Sequence, residues 1–154
     1  MFSSPLYKKK GIIICGFAGI GKTNFSSYVP NFENVSYYDL QSSYFRKNEG
    51  WEKTYVDCAE ALTEKYDYVF LSTHDMAIDE LIRRSSKFYV VYPKIHCKAE
   101  YKERFKLRGN SDEYIDKFMK NWDSFIARLD KLDTNNRVSL RTGQYLSDVI
   151  ERLR

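Results

Sequence analysis

The chain has 154 residues, enough for one domain with a proper core. Apolar residues make up 43% of it and charged residues 30%, which is ordinary for a globular protein, and its net charge of +4 is too mild to indicate nucleic-acid binding by itself. The 3 cysteines lack metal-ligand spacing and indicate free thiols in a reducing compartment. No membrane span or signal peptide is apparent, so we expect a cytoplasmic protein without a membrane partner.

Short apolar runs alternate with helical periodicity along the chain. The apolar runs predict strands at residues 11–15, 35–39, 68–71, 88–92 and 137–140. Apolar residues at helical spacing predict helices at residues 21–28, 49–65, around 77–82, around 99–105, 110–129 and 145–153. Such alternation predicts an α/β fold, a parallel sheet with helices on both faces, in which ligands bind at the carboxyl ends of the strands.

Two helix starts carry capping signals. Asp75 is predicted to cap the helix after the third strand. Asn110 with Glu113 resembles a capping box and is predicted to open one long helix. The apolar positions of that helix are Tyr114, Phe118, Trp122, Phe125 and Leu129.

A glycine-rich loop follows the first strand with the P-loop spacing, Gly-x-x-x-x-Gly-Lys-Thr. Its glycines let the backbone turn tightly and bring N–H groups close to phosphate oxygens. Lys22 can reach the β- and γ-phosphates, and the Thr23 hydroxyl can ligate Mg²⁺. The alternative is a glycine turn with an incidental lysine. The residues expected to bind the nucleotide are Gly16, Phe17, Ala18, Gly19, Ile20, Gly21, Lys22 and Thr23.

Asp39 ends the second strand at the same edge of the sheet. An acid there can accept a hydroxyl proton or help to hold Mg²⁺, and the alternative is a loop-capping role. The third strand ends in Ser72 and Thr73, where a metal-holding acid is usual. Either one of these hydroxyls reaches the metal through water, or Asp39 takes that role. His74 lies in the same loop and is a candidate for substrate contact, with a structural hydrogen bond as the alternative.

Arg104 and Arg108 are four residues apart and therefore share one helical face. Two guanidinium groups suit phosphate oxygens and would offset charge in phosphoryl transfer. The alternative is a solvated helix face.

Several segments in this order resemble the small P-loop proteins of bacteriophages that are described as nucleoside or nucleotide kinase-like. The segments are residues 16–23, 39–43, 70–74, 92–93, 100–104 with 108–109, and 121–123. The layout also resembles the nucleoside monophosphate kinase group of P-loop NTPases. This resemblance implies a five-stranded sheet of order 2-3-1-4-5, ATP and Mg²⁺ at the P-loop, and an acceptor near Asp39. It also implies a lid-like helical segment, about residues 97–132, that carries Arg104 and Arg108.

We therefore expect one kinase-like domain, residues 1–154, that moves the γ-phosphoryl group of ATP to a small acceptor, a deoxynucleoside monophosphate being favoured. The expected catalytic residues are Lys22, Asp39, Arg104 and Arg108, and the expected metal ligand is Thr23. The expected acceptor-binding residues are Asp39, Ser42, Arg46, Thr73 and His74. Arg46 is the candidate for an acceptor phosphate. One alternative is a polynucleotide 5′-hydroxyl kinase, and another is a nucleotide-binding regulator without useful transfer.

Overall fold

Five parallel strands form one sheet in the part of the chain that the structure describes. That structure is a computed structural model and describes residues 10–22, 25 and 35–153. The strands are β1 (Ile12–Gly16), β2 (Tyr37–Asp39), β3 (Tyr68–Leu71), β4 (Phe88–Pro93) and β5 (Arg137–Leu140). They lie in the order β2-β3-β1-β4-β5, and every pairing is parallel. The predicted fold class, a five-stranded parallel sheet of order 2-3-1-4-5 with helices around it, is confirmed.

The central strand, β1, is apolar along its length and is paired on both of its edges. β1 pairs with β3 on one side and with β4 on the other. Ile13, Ile14 and Cys15 are all buried, as expected for a parallel strand that is covered on both faces. β2 lies at the edge of the sheet and is only partly buried, and its last residue, Asp39, lies beside Phe70 of β3.

Six α-helices lie around this sheet among the described residues. They are α1 (Trp51–Leu62), α2 (Asp75–Arg83), α3 (Lys98–Leu107), α4 (Asp112–Lys120), α5 (Trp122–Asp130) and α6 (Leu146–Val149). Short 3-10 turns occur at Ser42–Tyr44, Ile95–Cys97 and Ile150–Leu153. The helix predicted at residues 21–28 falls largely outside the described residues. None of these six helices has the length and apolar character that crossing a bilayer requires.

The single long helix predicted at residues 110–129 is wrong, because the chain breaks there into α4 and α5. Asn121 separates the two helices with φ −99° and ψ 7°. Its side-chain amide donates to the carbonyl oxygen of Lys117 at 2.9 Å. A side-chain bond of this kind competes with the helical backbone ladder and favours a break.

Some helix ends also differ from the prediction. Ser111, and not Asn110, caps α4, because the Ser111 hydroxyl accepts a hydrogen bond from the N–H of Tyr114 at 3.2 Å. The terminal helix predicted at residues 145–153 is α-helical only as far as Val149 and then tightens into a 3-10 turn.

Phe17 joins three helices to the loop that follows β1. Its ring makes edge-to-face contacts with Tyr101 of α3 at 6.1 Å, Phe118 of α4 at 5.4 Å and Trp122 of α5 at 5.5 Å between centroids. These helices form most of the predicted lid-like segment, residues 97–132. The structure thus places that segment directly on the loop, while its action as a lid and the assignment of residues 1–154 to one domain stay predictions.

Candidate functional site

Two glycines shape the loop after β1. Gly19 has φ +86° and Gly21 has φ +97°, which are left-handed conformations that other residues rarely adopt. A Cβ atom on Gly19 would lie 3.1 Å from Phe105 and 3.2 Å from Tyr101, so α3 closes on the loop at this point. The predicted metal ligand, Thr23, lies outside the described residues.

Lys22 lies at the end of the described part of this loop, and its amine donates to the carbonyl oxygen of Gly16. Burial lowers the pKa of Lys22 from 10.5 to about 8, the Asp39 carboxylate partly offsets this effect, and Arg108 adds to it. The charges of Asp39 and Arg108 therefore act on this amine. Burial disfavours the charged form of Lys22, and an anionic partner would stabilise that form. Lys22 is therefore suited to bind a phosphate.

A polar cleft of about 550 Å³ opens over the loop. Lys22, Arg104 and Arg108 line it together with Asp39 and Ser42 from the end of β2. Four of the predicted catalytic residues therefore share one cavity. A cleft with three cations and a glycine-rich backbone is suited to a polyphosphate.

A second cavity, the aromatic cleft, of about 430 Å³, lies on the side of β3. Thr73 and His74 line it, and its apolar wall is formed by Phe118 and Phe125. Arg128 of α5 lines it as well and forms an ion pair with Asp75, which belongs to the same cavity. The predicted acceptor residues Thr73 and His74 are thus brought beside the loop, in a cavity with both apolar and charged walls.

The two clefts share a floor. Ala18, Lys22, Ser42 and Ser72 line both of them. A group in the polar cleft and a group in the aromatic cleft can therefore meet above Lys22.

Tyr55 joins the strand ends that carry this floor. Its buried hydroxyl donates to the carbonyl oxygen of Leu40 at 2.7 Å and accepts from the N–H of Ser72 at 3.1 Å. Burial raises the pKa of Tyr55 above its usual range, so the hydroxyl stays neutral and able to donate. This side chain adds to the backbone hydrogen bond from the N–H of Leu40 to the carbonyl oxygen of Phe70, at 2.9 Å, that also joins the ends of β2 and β3.

His74 caps α2, so the predicted capping role of Asp75 is wrong. The His74 Nδ1 atom accepts the N–H of Met76 at 3.2 Å, one position before the predicted cap. Burial, with the charges of Lys47 and Arg128, lowers the pKa of His74. A neutral ring that accepts at Nδ1 carries its proton on Nε2, which makes Nε2 a donor.

The predicted arginines occupy three different settings. Arg104 is buried, with 8% of its surface exposed. Arg108 is exposed, and its guanidinium carbon lies 5.5 Å from the centroid of the Phe105 ring. Arg46 is exposed as well and lines neither cleft. The helical spacing of Arg104 and Arg108 gave no sign that their surroundings differ.

Some cleft residues were absent from the sequence prediction. Arg128 lines the aromatic cleft, and Tyr114 and Tyr145 line the polar cleft. Each lies far along the chain from the loop, within a helix or at a helix end, and no motif marks it. Tyr114 was predicted, but only as an apolar position of a helix.

The described residues contain no group of three or more histidine, cysteine, aspartate or glutamate side chains that could hold a metal ion. Mg²⁺ that is bound with phosphates is usually held by only one or two protein carboxylates together with phosphate oxygens and water.

The fold is similar to that of a gluconokinase from Sinorhizobium meliloti 1021, with a TM-score of 0.53 and 14% identity over 92% of this chain and 87% of that one. The fold is that of the P-loop kinases. An uncharacterised protein from Eubacterium ventriosum ATCC 27560 matches with a TM-score of 0.53 and 11% identity, over 94% of this chain and 98% of that one.

A shikimate kinase from Bacteroides thetaiotaomicron matches less of the chain, with a TM-score of 0.49 and 17% identity over 77% of this chain and 79% of that one. No family model matches the sequence. No curated protein matches it either. The predicted P-loop kinase-like fold is confirmed, while the bacteriophage origin and the nucleoside monophosphate kinase subgroup stay predictions.

Proposed function

We propose that the protein is an ATP-dependent phosphotransferase that moves the γ-phosphoryl group to a small acceptor, a nucleoside monophosphate being favoured. The observation that carries this proposal is the pair of clefts that share Lys22 and Ser42 in their floor. A transferase needs two substrates held side by side with the reacting atoms in reach of one set of charges. A regulator that only binds nucleotide has no need of the second cleft.

The polar cleft fits the phosphates of a nucleotide. The left-handed Gly19 and Gly21 leave room for backbone approach, and burial lowers the pKa of Lys22 to about 8, so a bound anion would favour its charged form. Bound ATP with Mg²⁺ supplies the phosphoryl group and a metal that neutralises phosphate charge. Thr23 is proposed to hold the metal.

Lys22 and Arg108 are proposed to stabilise the negative charge of the transferred group, since both charges act at the floor of the polar cleft. Asp39 is an anion, so it would not contact an acceptor phosphate directly. It is proposed to bind an acceptor hydroxyl and take its proton, or to orient water on the metal.

The aromatic cleft is proposed to hold the acceptor. Phe118 and Phe125 lie 5.2 Å apart between ring centroids, and Phe125 is 39% exposed, so their rings offer stacking surface to a base. Ser42 and Lys22 also line this cleft, and the charged end of the acceptor would lie beside them. Arg46 lines neither cleft, and its contact with an acceptor phosphate stays a prediction.

The experiment is transfer from labelled ATP with Mg²⁺ to a panel of nucleosides, nucleoside monophosphates, gluconate and a 5′-hydroxyl oligonucleotide. We expect label on one or more nucleoside monophosphates. Label on gluconate alone would keep the phosphotransferase but exclude a nucleotide acceptor. Label on the oligonucleotide alone would support the polynucleotide kinase instead, and slow ATP turnover without any acceptor would support the regulator. Lys22→Ala, purified in parallel, controls for contaminating kinases.

A further inference from the structure

Arg104 is surrounded by protein acceptors. Its Nη1 atom donates to the carbonyl oxygen of Gly19 at 2.9 Å. Its Nη2 atom donates to the carbonyl oxygen of Gln144 at 2.8 Å and to the Glu100 carboxylate at 2.5 Å. One buried guanidinium therefore connects the loop after β1, helix α3 and the segment before α6.

Two aromatic rings lie against the same guanidinium group. The Arg104 guanidinium carbon lies 4.4 Å from the centroid of the Tyr101 ring and 3.8 Å from that of Tyr145. Cation–π contacts of this kind are stronger when they are shielded from water. Protein acceptors therefore occupy three of the five N–H groups of Arg104, although its side chain also lines the polar cleft.

Two further hydrogen bonds strengthen the connection. The Glu100 carboxylate accepts the N–H of Gly143 at 3.0 and 3.1 Å. The N–H of Leu146 donates to the carbonyl oxygen of Ile20 at 2.8 Å. The carbonyl oxygens of Gly19 and Ile20, which are consecutive in the loop, are thus both bound by groups outside the loop.

We propose that Arg104 is a positioning residue that, with Glu100, holds the loop after β1 in its phosphate-binding conformation. A carbonyl oxygen turned toward a phosphate would repel it, whereas N–H groups attract it. By binding the Gly19 oxygen, Arg104 keeps this carbonyl from the phosphates. The proposal rests on the proposed function only in taking a nucleotide as the ligand, and it gives Arg104 a different task from Arg108.

Substitution of Glu100 provides a test in which a purely electrostatic role and a positioning role predict opposite changes in nucleotide affinity. Glu100→Gln removes a negative charge near an anionic ligand, so Coulomb attraction alone would tighten nucleotide binding. Positioning predicts the reverse, since the amide weakens the bonds to Arg104 and Gly143. We expect the Kd values of ADP and ATP to rise together, by about threefold to tenfold, in isothermal titration calorimetry.

The matched control for that variant is Glu103→Gln. Glu103 lies on the same helix, and its carboxylate forms an ion pair with Lys106 at 3.4 Å on an exposed surface. We expect its Kd values to stay within about twofold of wild type. Tighter binding by Glu100→Gln, or equal effects of the two variants, would overturn the proposal.

Arg104→Met tests the guanidinium itself. We expect the Kd of ADP and the Kd of ATP to rise by the same factor, about tenfold or more, because loop conformation matters to both ligands. Arg104→Lys keeps the charge but loses the planar fork, so it should restore only part of the affinity. A loss confined to ATP, or to kcat with both Kd values intact, would assign Arg104 to the transferred phosphate and overturn the proposal.

Arg84→Met is the control for a general loss of stability, because it removes a partly buried arginine away from the loop. The Arg84 side chain is 19% exposed and pairs with Glu80 of α2 at 2.6 Å and with Asp57 of α1 at 2.8 Å. This variant should lower Tm and leave both Kd values unchanged. If Arg104→Met does not fold, the sign of the Glu100→Gln effect decides alone. Nucleotide binding without transfer would refute the proposed function but not this inference, and wild type that binds neither nucleotide would refute both.

Discussion

The loop after β1 is held differently on its two sides. On the side of α3 and α6, groups outside the loop bind its backbone: the Arg104 guanidinium donates to the Gly19 oxygen, and the N–H of Leu146 donates to the Ile20 oxygen. On the side of β2 and β3, the strand ends are joined to each other through Tyr55, and the loop faces two open clefts. One side therefore fixes the phosphate-binding backbone, and the other leaves space in which a second substrate can lie.

The largest effect is expected from the loss of Lys22, the charged side chain that lines both clefts. Lys22→Met should lower the transfer rate by on the order of a thousandfold, because the substituted side chain no longer stabilises phosphate charge. It should also remove most of the thermal stabilisation that ATP and Mg²⁺ give to the wild type. The measurements are initial transfer rates and Tm with and without nucleotide. Wild-type transfer by this variant would contradict the assignment of the site.

Asp39→Asn should separate ATP binding from phosphoryl transfer. The substitution is nearly isosteric, so the affinity for ATP should stay within about twofold of wild type. The transfer rate should fall by on the order of a hundredfold, because asparagine can neither take the proton of the acceptor hydroxyl nor orient water on the metal as the carboxylate would. Single-turnover transfer rates and ATP Kd values measure the two effects separately. With full transfer retained, Asp39 would return to loop capping and the acceptor contacts would be sought at Ser42, Thr73 and His74.

The fold and the loop were predictable because their signals are local. The apolar run of β1, the glycine spacing after it and the alternation of elements lie within short stretches of sequence. The break at Asn121 was not predictable, because the apolar spacing from Tyr114 to Leu129 continues across it and the deciding bond is made by one amide side chain.

The role of Arg104 lay beyond sequence reasoning for a different reason. Its acceptor oxygens on Gly19 and Gln144 are 85 and 40 residues away along the chain. Helical spacing could place Arg104 and Arg108 on one face of α3, but it could not tell which of them is buried. The helical wall of the aromatic cleft was missed likewise, since Phe118 and Arg128 reach it from separate helices, while the predicted residues Thr73 and His74 do line the cleft.

The aromatic cleft can be tested without disturbing the loop. Phe125→Ala removes a partly exposed ring from the cleft wall, so the KM for the acceptor should rise by about tenfold or less. The KM for ATP should stay near wild type, because Phe125 does not line the polar cleft. Tyr44→Ala, at an exposed ring that lines neither cleft, is the matched control. Equal effects on both KM values would contradict the separation of the clefts.

The smallest expected effect is a pH dependence of ATP affinity that arises from Lys22 in the loop after β1. The ligand-free pKa of Lys22 is lowered from 10.5 to about 8, mainly by burial, and phosphates would raise it again. Nucleotide binding should then take up a proton above about pH 8, so ATP affinity should fall severalfold between about pH 7 and about pH 9.

The stability of the ligand-free protein should change in the opposite direction. In the unfolded chain Lys22 keeps its proton up to about pH 10.5, so the free energy of unfolding should rise between about pH 8 and that value. Calorimetry in buffers of different ionisation enthalpy measures the proton uptake, and Lys22→Met should flatten the stability profile. Affinity that stays constant across this range would mean that Lys22 is fully charged before the nucleotide arrives, and that burial does not prepare it for the phosphates.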